Sequence, residues 1–471
     1  MLDSAKIAVL LNGRLYGSEK AVFHRCTADS RQVKGGEMFI ALAGEKTDGH
    51  KYIARALQSG AAIVLAEEKR LRREGVPVLP EKSSIIAVED SLKGLQQLAA
   101  IWLKEIGARV IGVTGSNGKT TTKDMVAAVL GTKFRVHKNA GNLNTEIGLP
   151  MTVLGAPSDT EVMVLEMGMR GLGQIKTLCE ISCPCAAVIT NIGATHLELL
   201  GSRENIARAK WEIVESLPEE GIAILNTEDK ISMEKAASYH GKTLFYGIEG
   251  KFGRPDLWAE EIIPSGDTGT TFRARYKKEN VLIRLPLPGK HNVLDALAAL
   301  GAGLLNGVNL ESGSQALEGL QISAMRLEIL PGCHQSIIIN DVYNANPASV
   351  KASLAVLKER GGAKTVAVLG EMYELGAASQ SGHREVGVEA AGLGVLELVT
   401  VGKLAEEIAA GALQNGFLPS RIHICEDCAE AVTATKKIID LLGAGTWVLI
   451  KGSRGMHMEK ISNELKTDNK L

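Results

Sequence analysis

The chain has 471 residues, of which 45% are hydrophobic and 23% are charged, a balance that is typical of folded globular proteins and excludes an intrinsically disordered chain. This length predicts several domains, each with its own core. Lysine plus arginine (53) nearly equals aspartate plus glutamate (54), and no segment is long and apolar enough for a transmembrane helix, so we expect neither nucleic-acid binding nor membrane insertion.

The N-terminal segment and the cysteines indicate the compartment. The segment MLDSAKIAVLLNG has no basic region before its apolar run, so it is a poor export signal. Seven scattered cysteines do not form a disulfide framework, and the CxxC pair of Cys425 and Cys428 has no second pair at zinc-site spacing. We therefore expect a cytoplasmic protein with free thiols.

Residues 1–106 are predicted to form a small α/β domain. Short apolar runs at 38–42 and 61–66 alternate with helix-like segments, and an amphipathic stretch from Ser91 to Glu105 follows them. This alternation is typical of strands that are covered by helices.

Residues 107–323 are predicted to form a second, doubly wound domain with a mostly parallel sheet. The segment RVIGVTG, at 109–115, is typical of a buried strand that leads into a glycine loop and a helix. Polar and β-favouring residues alternate over 267–286, which predicts antiparallel hairpin strands, and a buried helix is expected from about His291. Further apolar runs, spaced as a parallel sheet requires, lie at 162–168, 186–193 and 221–226.

Residues 324–471 repeat the alternation of strands and helices, which predicts a third, Rossmann-like domain. The first strand of this domain is not followed by GxGxxG, so no dinucleotide cofactor is indicated. The expected fold class is therefore α/β with three domains. The apolar runs of the third domain lie at 336–341, 364–370, 396–402 and 446–452.

The sharpest chemical signal is the segment GVTGSNGKTTT at 112–122. Glycines and backbone N–H groups between a strand and a helix N-terminus form an arrangement that binds nucleotide phosphates. Lys119 would neutralise the β- and γ-phosphates, and the Thr120 hydroxyl would bind Mg²⁺. The usual GxxxxGK spacing needs glycine where Val113 stands, and a glycine-rich turn without a ligand is the alternative. The residues expected to contact ATP in this loop are Gly115, Ser116, Asn117, Gly118, Lys119, Thr120 and Thr121.

The stretch TGSNGKTT, from Thr114 to Thr121, resembles the phosphate-binding loop of the Mur ligase family, which explains the departure at Val113. The resemblance extends over essentially the whole chain. It implies a ligase that activates a carboxylate as an acyl phosphate and then lets an amino group displace the phosphate. It also implies ATP as a substrate and Mg²⁺ as a cofactor.

By that resemblance, three further residues are expected to assist Lys119 in catalysis. Glu166 ends an apolar strand, where a carboxylate suits Mg²⁺, and His196 resembles a ligand of a second metal ion. Lys210 resembles a lysine that can be carbamylated, so that its side chain becomes an anion that supports metal binding. Taken alone, the three would be a capping carboxylate, a packing or surface histidine and a solvated helix lysine. The expected metal-binding set is Thr120, Glu166, His196 and, if carbamylated, Lys210.

Later segments are expected to contact the rest of the nucleotide. By resemblance, Asn292 contacts adenine together with His291, and as an alternative it would cap its helix. Arg326 resembles an arginine that reaches the ATP phosphates when the third domain closes, and Asp341 resembles an acidic residue that binds the ribose. The loop after Asp341 is expected to contribute Tyr343, Asn344 and Asn346.

In this family the first domain decides the class of sugar nucleotide. Residues 29–61 match the form shared by the two later-acting ligases, with Ser30 and Arg31 as candidate contacts to the UDP-sugar. Segments such as 141–154 and 342–354 resemble the ligase that adds D-alanyl-D-alanine to a UDP-linked muramoyl (UDP-MurNAc) tripeptide. The residues expected to contact this precursor are Asn142, Asn144 and Thr145.

Other assignments are weighed against this one. A ligase that adds the third residue would carry a DYAHTP-like or DNPR segment, and the sequence contains neither. A folylpolyglutamate synthetase would lack a UDP-sugar domain before the loop, and a nucleotide-gated scaffold would not need the whole catalytic set. Residues 449–459 are expected to help receive the dipeptide, His383 is a guess for the acceptor of the amine proton, and a monomer is the default expectation.

Overall fold

Three β-sheets follow one another along the chain in the computed structural model. Helices connect most of the consecutive parallel strands, as the alternation of apolar runs predicts. The residues that the structure describes are 2–44, 47–193, 197–265, 269–321 and 323–467.

The first sheet has β1 antiparallel to β5 and the other neighbours parallel, in the order β1-β5-β4-β3-β2 as defined below. The last helix of this region begins at Asp90, whose side chain accepts hydrogen bonds from two backbone N–H groups, and ends before the left-handed Gly107. The strands are β1 (Arg14–Gly17), β2 (Cys26–Thr27), β3 (Met38–Ile40), β4 (Ile63–Glu67) and β5 (Ser84–Val88), and the helices are α1 (Ser4–Leu10), α2 (Ile53–Gln58), α3 (Glu68–Glu74) and α4 (Ser91–Ile106).

The middle sheet contains the strand that leads into the glycine loop. Its strands are β6 (Arg109–Thr114), β7 (Val136–Lys138), β8 (Val162–Glu166), β9 (Ala186–Ile189), β10 (Ile222–Asn226), β11 (Lys242–Gly247), β12 (Leu257–Ser265), β13 (Gly269–Tyr276) and β14 (Glu279–Leu285). Its helices are α5 (Lys119–Gly131), α6 (Gly148–Leu154), α7 (Gln174–Ser182), α8 (Leu197–Leu200), α9 (Arg203–Glu215), α10 (Lys230–Ala236), α11 (Lys290–Leu305) and α12 (Leu310–Glu318).

The strand order of the middle sheet, β14-β13-β12-β11-β10-β9-β6-β8-β7, puts β6 between β8 and β9. Strands β6 to β12 run parallel to their neighbours among themselves, whereas β12, β13 and β14 form an antiparallel meander. The chain therefore leaves β6 toward one side of the sheet and later returns to the other side. Doubly wound sheets bind ligands at such a switch point, beyond the carboxyl ends of the strands.

The third sheet has the order β15-β16-β20-β17-β18-β19, with only the first pair among its described strands antiparallel. Its strands are β15 (Glu328–Pro331), β16 (Ile337–Asn340), β17 (Thr365–Gly370), β18 (Glu397–Val401), β19 (Ile422–Cys425) and β20 (Trp447–Lys451). Its helices are α13 (Pro347–Gly361), α14 (Ser379–Gly392), α15 (Glu406–Gln414), α16 (Cys428–Leu442) and α17 (Glu459–Leu465).

The predicted α/β fold class with three units is confirmed, and so is the antiparallel hairpin before α11. Eight of the described strands lie outside the segments predicted as strands: β1, β2, β5, β7, β11, β12, β15 and β19. Most of them are short or carry polar and half-exposed residues that do not form an apolar run, whereas β5 is buried throughout. Among the described residues, no helix combines the length and the apolar character needed to cross a bilayer.

Candidate active site

The glycine loop after β6 is packed too tightly for side chains at two positions. Gly115 and Gly118 have φ values of 152° and 80°. A Cβ atom at Gly115 would lie 1.8 Å from Thr190 Oγ1, and one at Gly118 would lie 2.5 Å from Asp295 Oδ1. Both positions therefore require glycine, because the backbone closely approaches the end of β9 and helix α11.

Hydrogen bonds to the segment after β9 fix the shape of the loop. The Asn117 N–H donates to Asn191 Oδ1 at 3.1 Å, and the Asn117 carbonyl accepts from Thr190 Oγ1 at 2.6 Å. Ser116 Oγ donates to the Gly193 carbonyl at 3.1 Å and accepts from the Gly193 N–H at 2.8 Å. The loop is thus held in one conformation by a neighbouring strand end.

Two lysines, the half-buried Lys119 and the buried Lys210, meet at one carbonyl of the loop. Lys119 Nζ and Lys210 Nζ each donate to the Gly115 carbonyl at 2.9 Å. Burial lowers the pKa of Lys119, and burial together with the positive charge of Lys119 lowers the pKa of Lys210 well below its ordinary value. A lysine with a lowered pKa has a larger fraction of neutral amine at neutral pH, and the neutral amine is the nucleophilic form.

Thr120 connects Glu166 to Arg326. Its Oγ1 donates to Glu166 Oε2 at 2.7 Å and accepts from Arg326 Nη2 at 2.8 Å. The second carboxylate oxygen, Glu166 Oε1, accepts from Asn144 Nδ2 at 2.8 Å. Asn139 holds the backbone of Glu166 through two hydrogen bonds of 2.9 Å. The carboxylate is therefore oriented at both of its oxygens and at its backbone.

The described part of the predicted metal-binding set has the chemistry that Mg²⁺ requires. Thr120 and Glu166 contribute a hydroxyl and a carboxylate, which are hard oxygen ligands, and Lys210 lies at the same loop. His196 lies outside the described residues. Within the described ranges, no group of three histidine, cysteine, aspartate or glutamate side chains is arranged to hold a metal ion.

The third sheet contributes side chains that reach the loop. The Arg326 guanidinium lies 3.9 Å from the centroid of the Tyr343 ring, a cation–π contact. Asn346 Nδ2 donates to Asn117 Oδ1 at 2.7 Å, while the side chain of Asn346 also accepts from the Ser349 N–H and caps α13. These contacts connect the start of the third sheet region to the glycine loop.

Asp341, which follows β16, is fixed by groups from three elements. Its Oδ2 accepts from Ser353 Oγ at 2.7 Å and from Lys451 Nζ at the end of β20. Its Oδ1 accepts from the Leu327 N–H at 3.3 Å. The Asp341–Lys451 ion pair is buried, so removal of either partner would leave an uncompensated charge.

Asn292 lies in the first turn of α11 without capping it. The N-cap of α11 is Gly289, so the alternative role of Asn292 as a helix cap is wrong. Asn292 is buried, and its Nδ2 donates to the Pro288 carbonyl at 2.7 Å. Burial lowers the pKa of the neighbouring His291 to about 4, so its imidazole is neutral at neutral pH.

These groups line one cavity of about 960 Å³ between the middle and third sheets. Gly115 supplies the carbonyl that holds the two lysines. Ser30 and Arg31 lie on the first sheet region instead, where Ser30 is buried and Arg31 is exposed and pairs with Asp29 at 2.8 Å. The predicted site residues in the cavity lining are Ser116, Asn117, Gly118, Lys119, Thr120, Thr121, Asn142, Asn144, Thr145, Glu166, Lys210, His291, Asn292, Arg326, Asp341, Tyr343, Asn344 and Asn346.

Two residues of the lining that hold the loop, Asn191 and Asp295, were not among the predicted site residues, and Lys451 was predicted only as part of the segment 449–459 that was expected to help receive the dipeptide. Asp295 Oδ1 accepts from Thr122 Oγ1 at 2.9 Å, and burial raises the pKa of Asp295 to about 8. A signal was available for two of them, because Asp295 interrupts the apolar run NVLDALAAL and Lys451 ends the apolar strand WVLIK. A charge in such a run requires a buried partner or a function.

His383 does not belong to the cavity lining, so its suggested role as a proton acceptor is wrong. It is fully buried, its Nε2 accepts from the Met372 N–H at 2.9 Å, and its Nδ1 lies 2.7 Å from the Ser379 carbonyl. Both ring nitrogens are therefore engaged by backbone groups. Burial also lowers the pKa of this imidazole.

Comparisons with known proteins identify the same family along the whole chain. Family models described as Mur ligase family, catalytic domain, as Mur ligase middle domain and as Mur ligase, glutamate ligase domain match residues 22–102, 113–303 and 325–454. A UDP-N-acetylmuramoyl-tripeptide--D-alanyl-D-alanine ligase of Bacillus subtilis is 40% identical over 98% of this chain and 97% of its own length.

Solved structures agree with the sequence relatives. MurF from Acinetobacter baumannii aligns with a TM-score of 0.85 and 31% identity, over 98% of this chain and 97% of that chain. MurF ligase from Thermotoga maritima, solved in complex with ADP, aligns with a TM-score of 0.80 and 29% identity, over 94% and 96% of the two chains.

Proposed function

The chain belongs to the Mur ligase family, and we propose that its cavity is the site where it joins D-alanyl-D-alanine to a UDP-N-acetylmuramoyl tripeptide with consumption of ATP. The protein is an ATP-dependent ligase of peptidoglycan precursor synthesis. One observation carries the assignment of the site: Thr120 Oγ1 joins Glu166, at the end of β8, to Arg326, before β15, in the cavity that Lys119 also lines.

We assign one role to each of the three regions. Residues 1–106 bind the UDP-sugar, with Ser30 and Arg31 as contacts; residues 107–323 bind ATP; and residues 324–471 close over ATP and receive the dipeptide. The contacts of Arg326 and Asn346 with the glycine loop support the closing role, because they join the second and third regions across the cavity.

In this proposal the glycine loop holds the ATP phosphates. The loop N–H groups, Lys119 and Arg326 surround the place where charge develops as the γ-phosphoryl group is transferred between two anions. Asn292 contacts the adenine and Asp341 the ribose, since both line the same cavity as the loop. Asn142, Asn144 and Thr145 contact the muramoyl precursor.

Mg²⁺ fits the oxygen ligands of Thr120 and Glu166. When bound, the ion neutralises phosphate charge beside Lys119. Asn144 and Asn139 keep the Glu166 carboxylate oriented for this purpose. Lys210 contributes as a carbamate, formed when its neutral amine adds to CO₂ with loss of a proton, and its lowered pKa favours that step.

The reaction then proceeds in two steps. A terminal carboxylate oxygen of the tripeptide attacks the γ-phosphorus, the bond to the β,γ-bridging oxygen breaks, and ADP leaves. The amine of the dipeptide attacks the acyl carbon of the acyl phosphate, the tetrahedral intermediate expels phosphate, and the amine loses a proton. The third region excludes water, which would otherwise hydrolyse the acyl phosphate.

We further propose that the enzyme works as a monomer in the cytoplasm. The seven cysteines are all described and all unpaired, as a reducing compartment requires.

The direct test is phosphate release from ATP in the presence of Mg²⁺ and UDP-MurNAc-tripeptide, with and without D-alanyl-D-alanine. We expect release only with both substrates, together with a UDP-MurNAc-pentapeptide identified by mass. A requirement for a UDP-MurNAc-dipeptide and a diamino acid would instead identify the ligase that adds the third residue, and a requirement for glutamate would identify a folate enzyme.

A further inference from the structure

Arg326 lies in a strained segment between the middle and third sheets. The residues on both sides of it, Met325 and Leu327, have φ values of 65° and 50°. Residues other than glycine rarely adopt this left-handed backbone region, and two such residues around one arginine need support from their surroundings. Strain of this kind is concentrated at sites where a side chain must be held in one place.

Glu328 supplies that support at the first residue of β15. Its Oε2 accepts from the Met325 N–H at 3.0 Å and from Asn340 Nδ2 at 2.8 Å. Glu328 and Asn340 are direct partners in the β15–β16 register. One carboxylate oxygen therefore ties the backbone just before Arg326 to the end of a strand in the third sheet.

The other contacts around Arg326 show what the Glu328 hydrogen bonds contribute. The Leu327 N–H is bound by Asp341, and the Arg326 guanidinium lies against Tyr343 and donates to Thr120. The ring of Tyr343 restrains the side chain of Arg326, and the Tyr343 N–H donates to the Met325 carbonyl at 3.2 Å. Glu328 restrains the N–H side of the same backbone turn, from which the Arg326 side chain projects. Without this acceptor the Met325 N–H would be free to turn away from the left-handed conformation.

We propose that Glu328 is a positioning residue, which acts on the nucleotide only by holding Arg326 at the phosphates. This inference rests on the proposed role of Arg326. Glu328 itself is absent from the cavity lining as the structure describes it. A glutamine should preserve the function, because its amide oxygen can accept the same two hydrogen bonds, so the requirement is for an acceptor and not for a charge.

The test is a double-mutant cycle on nucleotide binding, which does not depend on ligation. Calorimetry with Mg²⁺ gives the affinities for ADP and for an ATP analogue whose β,γ-bridge is an imide. The affinity for the analogue divided by the affinity for ADP reports contacts to the γ-phosphate. We expect Arg326→Ala and Glu328→Ala each to lower the ratio by about tenfold. In the Arg326→Ala background, Glu328→Ala should change the ratio by less than about twofold.

Controls separate the possible outcomes. Glu318→Ala removes another glutamate that accepts a backbone N–H, that of Arg284, and should leave the ratio unchanged. Glu328→Gln should retain the wild-type ratio, and Glu328→Met replaces Glu328→Ala if the alanine variant does not fold. Equal losses from Glu328→Ala in both backgrounds, or no loss in either, would overturn the inference. If Arg326→Ala itself leaves the ratio unchanged, the proposed role of Arg326 fails instead.

Discussion

The two walls of the cavity are built in different ways. The middle wall, formed by the glycine loop, Glu166 and Lys210, consists of residues that end or follow strands of one sheet or lie on its helices. The third wall, formed by Arg326, Asp341 and Asn346, reaches the loop only through contacts across two sheets. Local chain geometry therefore prepares the middle wall for phosphate, whereas the third wall contributes only when the two sheets are correctly placed.

The largest effect is expected in the middle wall. Lys119→Ala removes the ammonium group that the loop holds at Gly115 and should lower kcat by roughly a thousandfold or more. The fold should remain intact, as circular dichroism and thermal melting would show. Lys133→Ala, just beyond α5, is the matched control and should retain activity. Near-normal turnover of Lys119→Ala would defeat the assignment of the loop.

A smaller loss is expected from the principal cation of the third wall. Arg326→Ala removes the hydrogen bond to Thr120 and the charge beside it, so kcat should fall by roughly a hundredfold. The KM for D-alanyl-D-alanine should change little, because this residue acts on the phosphate. Steady-state kinetics with each substrate varied in turn would check this, and a change confined to the dipeptide KM would contradict it.

Lys210 tests whether the middle wall needs a carbamate. Its lowered pKa raises the neutral fraction of the amine at any given pH, so carbamylation should occur at a lower pH than it does for an ordinary lysine. Lys210→Ala should lower kcat by roughly tenfold to a hundredfold. Enzyme depleted of bicarbonate should lose activity and regain it when bicarbonate is added, with a carbamate signal in carbon-13 NMR. Activity indifferent to bicarbonate would refute the carbamate.

Asn346→Ala removes one hydrogen bond between the walls, that to Asn117, and also the cap of α13. We expect kcat to fall by roughly threefold to tenfold, since a single neutral hydrogen bond contributes modestly. Asn346→Asp keeps the cap but not the amide donor and separates the two contributions. If the aspartate variant were fully active, the contact between the walls would be irrelevant to turnover.

The smallest loss of activity is expected from substitution of Asp295, and the same substitution should raise stability. Burial raises the pKa of Asp295 from 3.8 to about 8, so the folded protein binds this proton more tightly than the unfolded chain does. The free energy of unfolding therefore decreases as pH rises through that interval. Asp295→Asn should raise the melting temperature by a few degrees at pH 7.5 and have no such effect at pH 4. An unchanged melting temperature at both pH values would contradict the raised pKa.

The sequence could predict the middle wall because its chemistry lies close to strand ends. The strand, loop and helix around Lys119 and the carboxylate at the end of β8 follow from apolar runs and from the glycine and polar residues that end them. The pairing of Lys451 with Asp341 could not be predicted, because the two residues stand far apart in the sequence and meet only when β16 pairs with β20.

The surroundings of a side chain also decide its role where the residue type alone allows more than one. Asn292 could have been a cap or a ligand until the helix start at Lys290 was known. His383 had the right chemistry for a proton acceptor, but its two backbone hydrogen bonds depend on how α14 packs beside the end of β17. Periodicity predicts which elements form, whereas such contacts depend on packing between elements distant in sequence.

The most direct measurement is the fate of oxygen-18 placed in the terminal carboxylate of UDP-MurNAc-tripeptide. If the two walls jointly transfer the γ-phosphoryl group to that carboxylate, each released phosphate will carry one oxygen atom from it, as mass spectrometry of the phosphate would show. Unlabelled phosphate, released together with pentapeptide, would contradict an acyl phosphate and with it the proposed division of work between the walls.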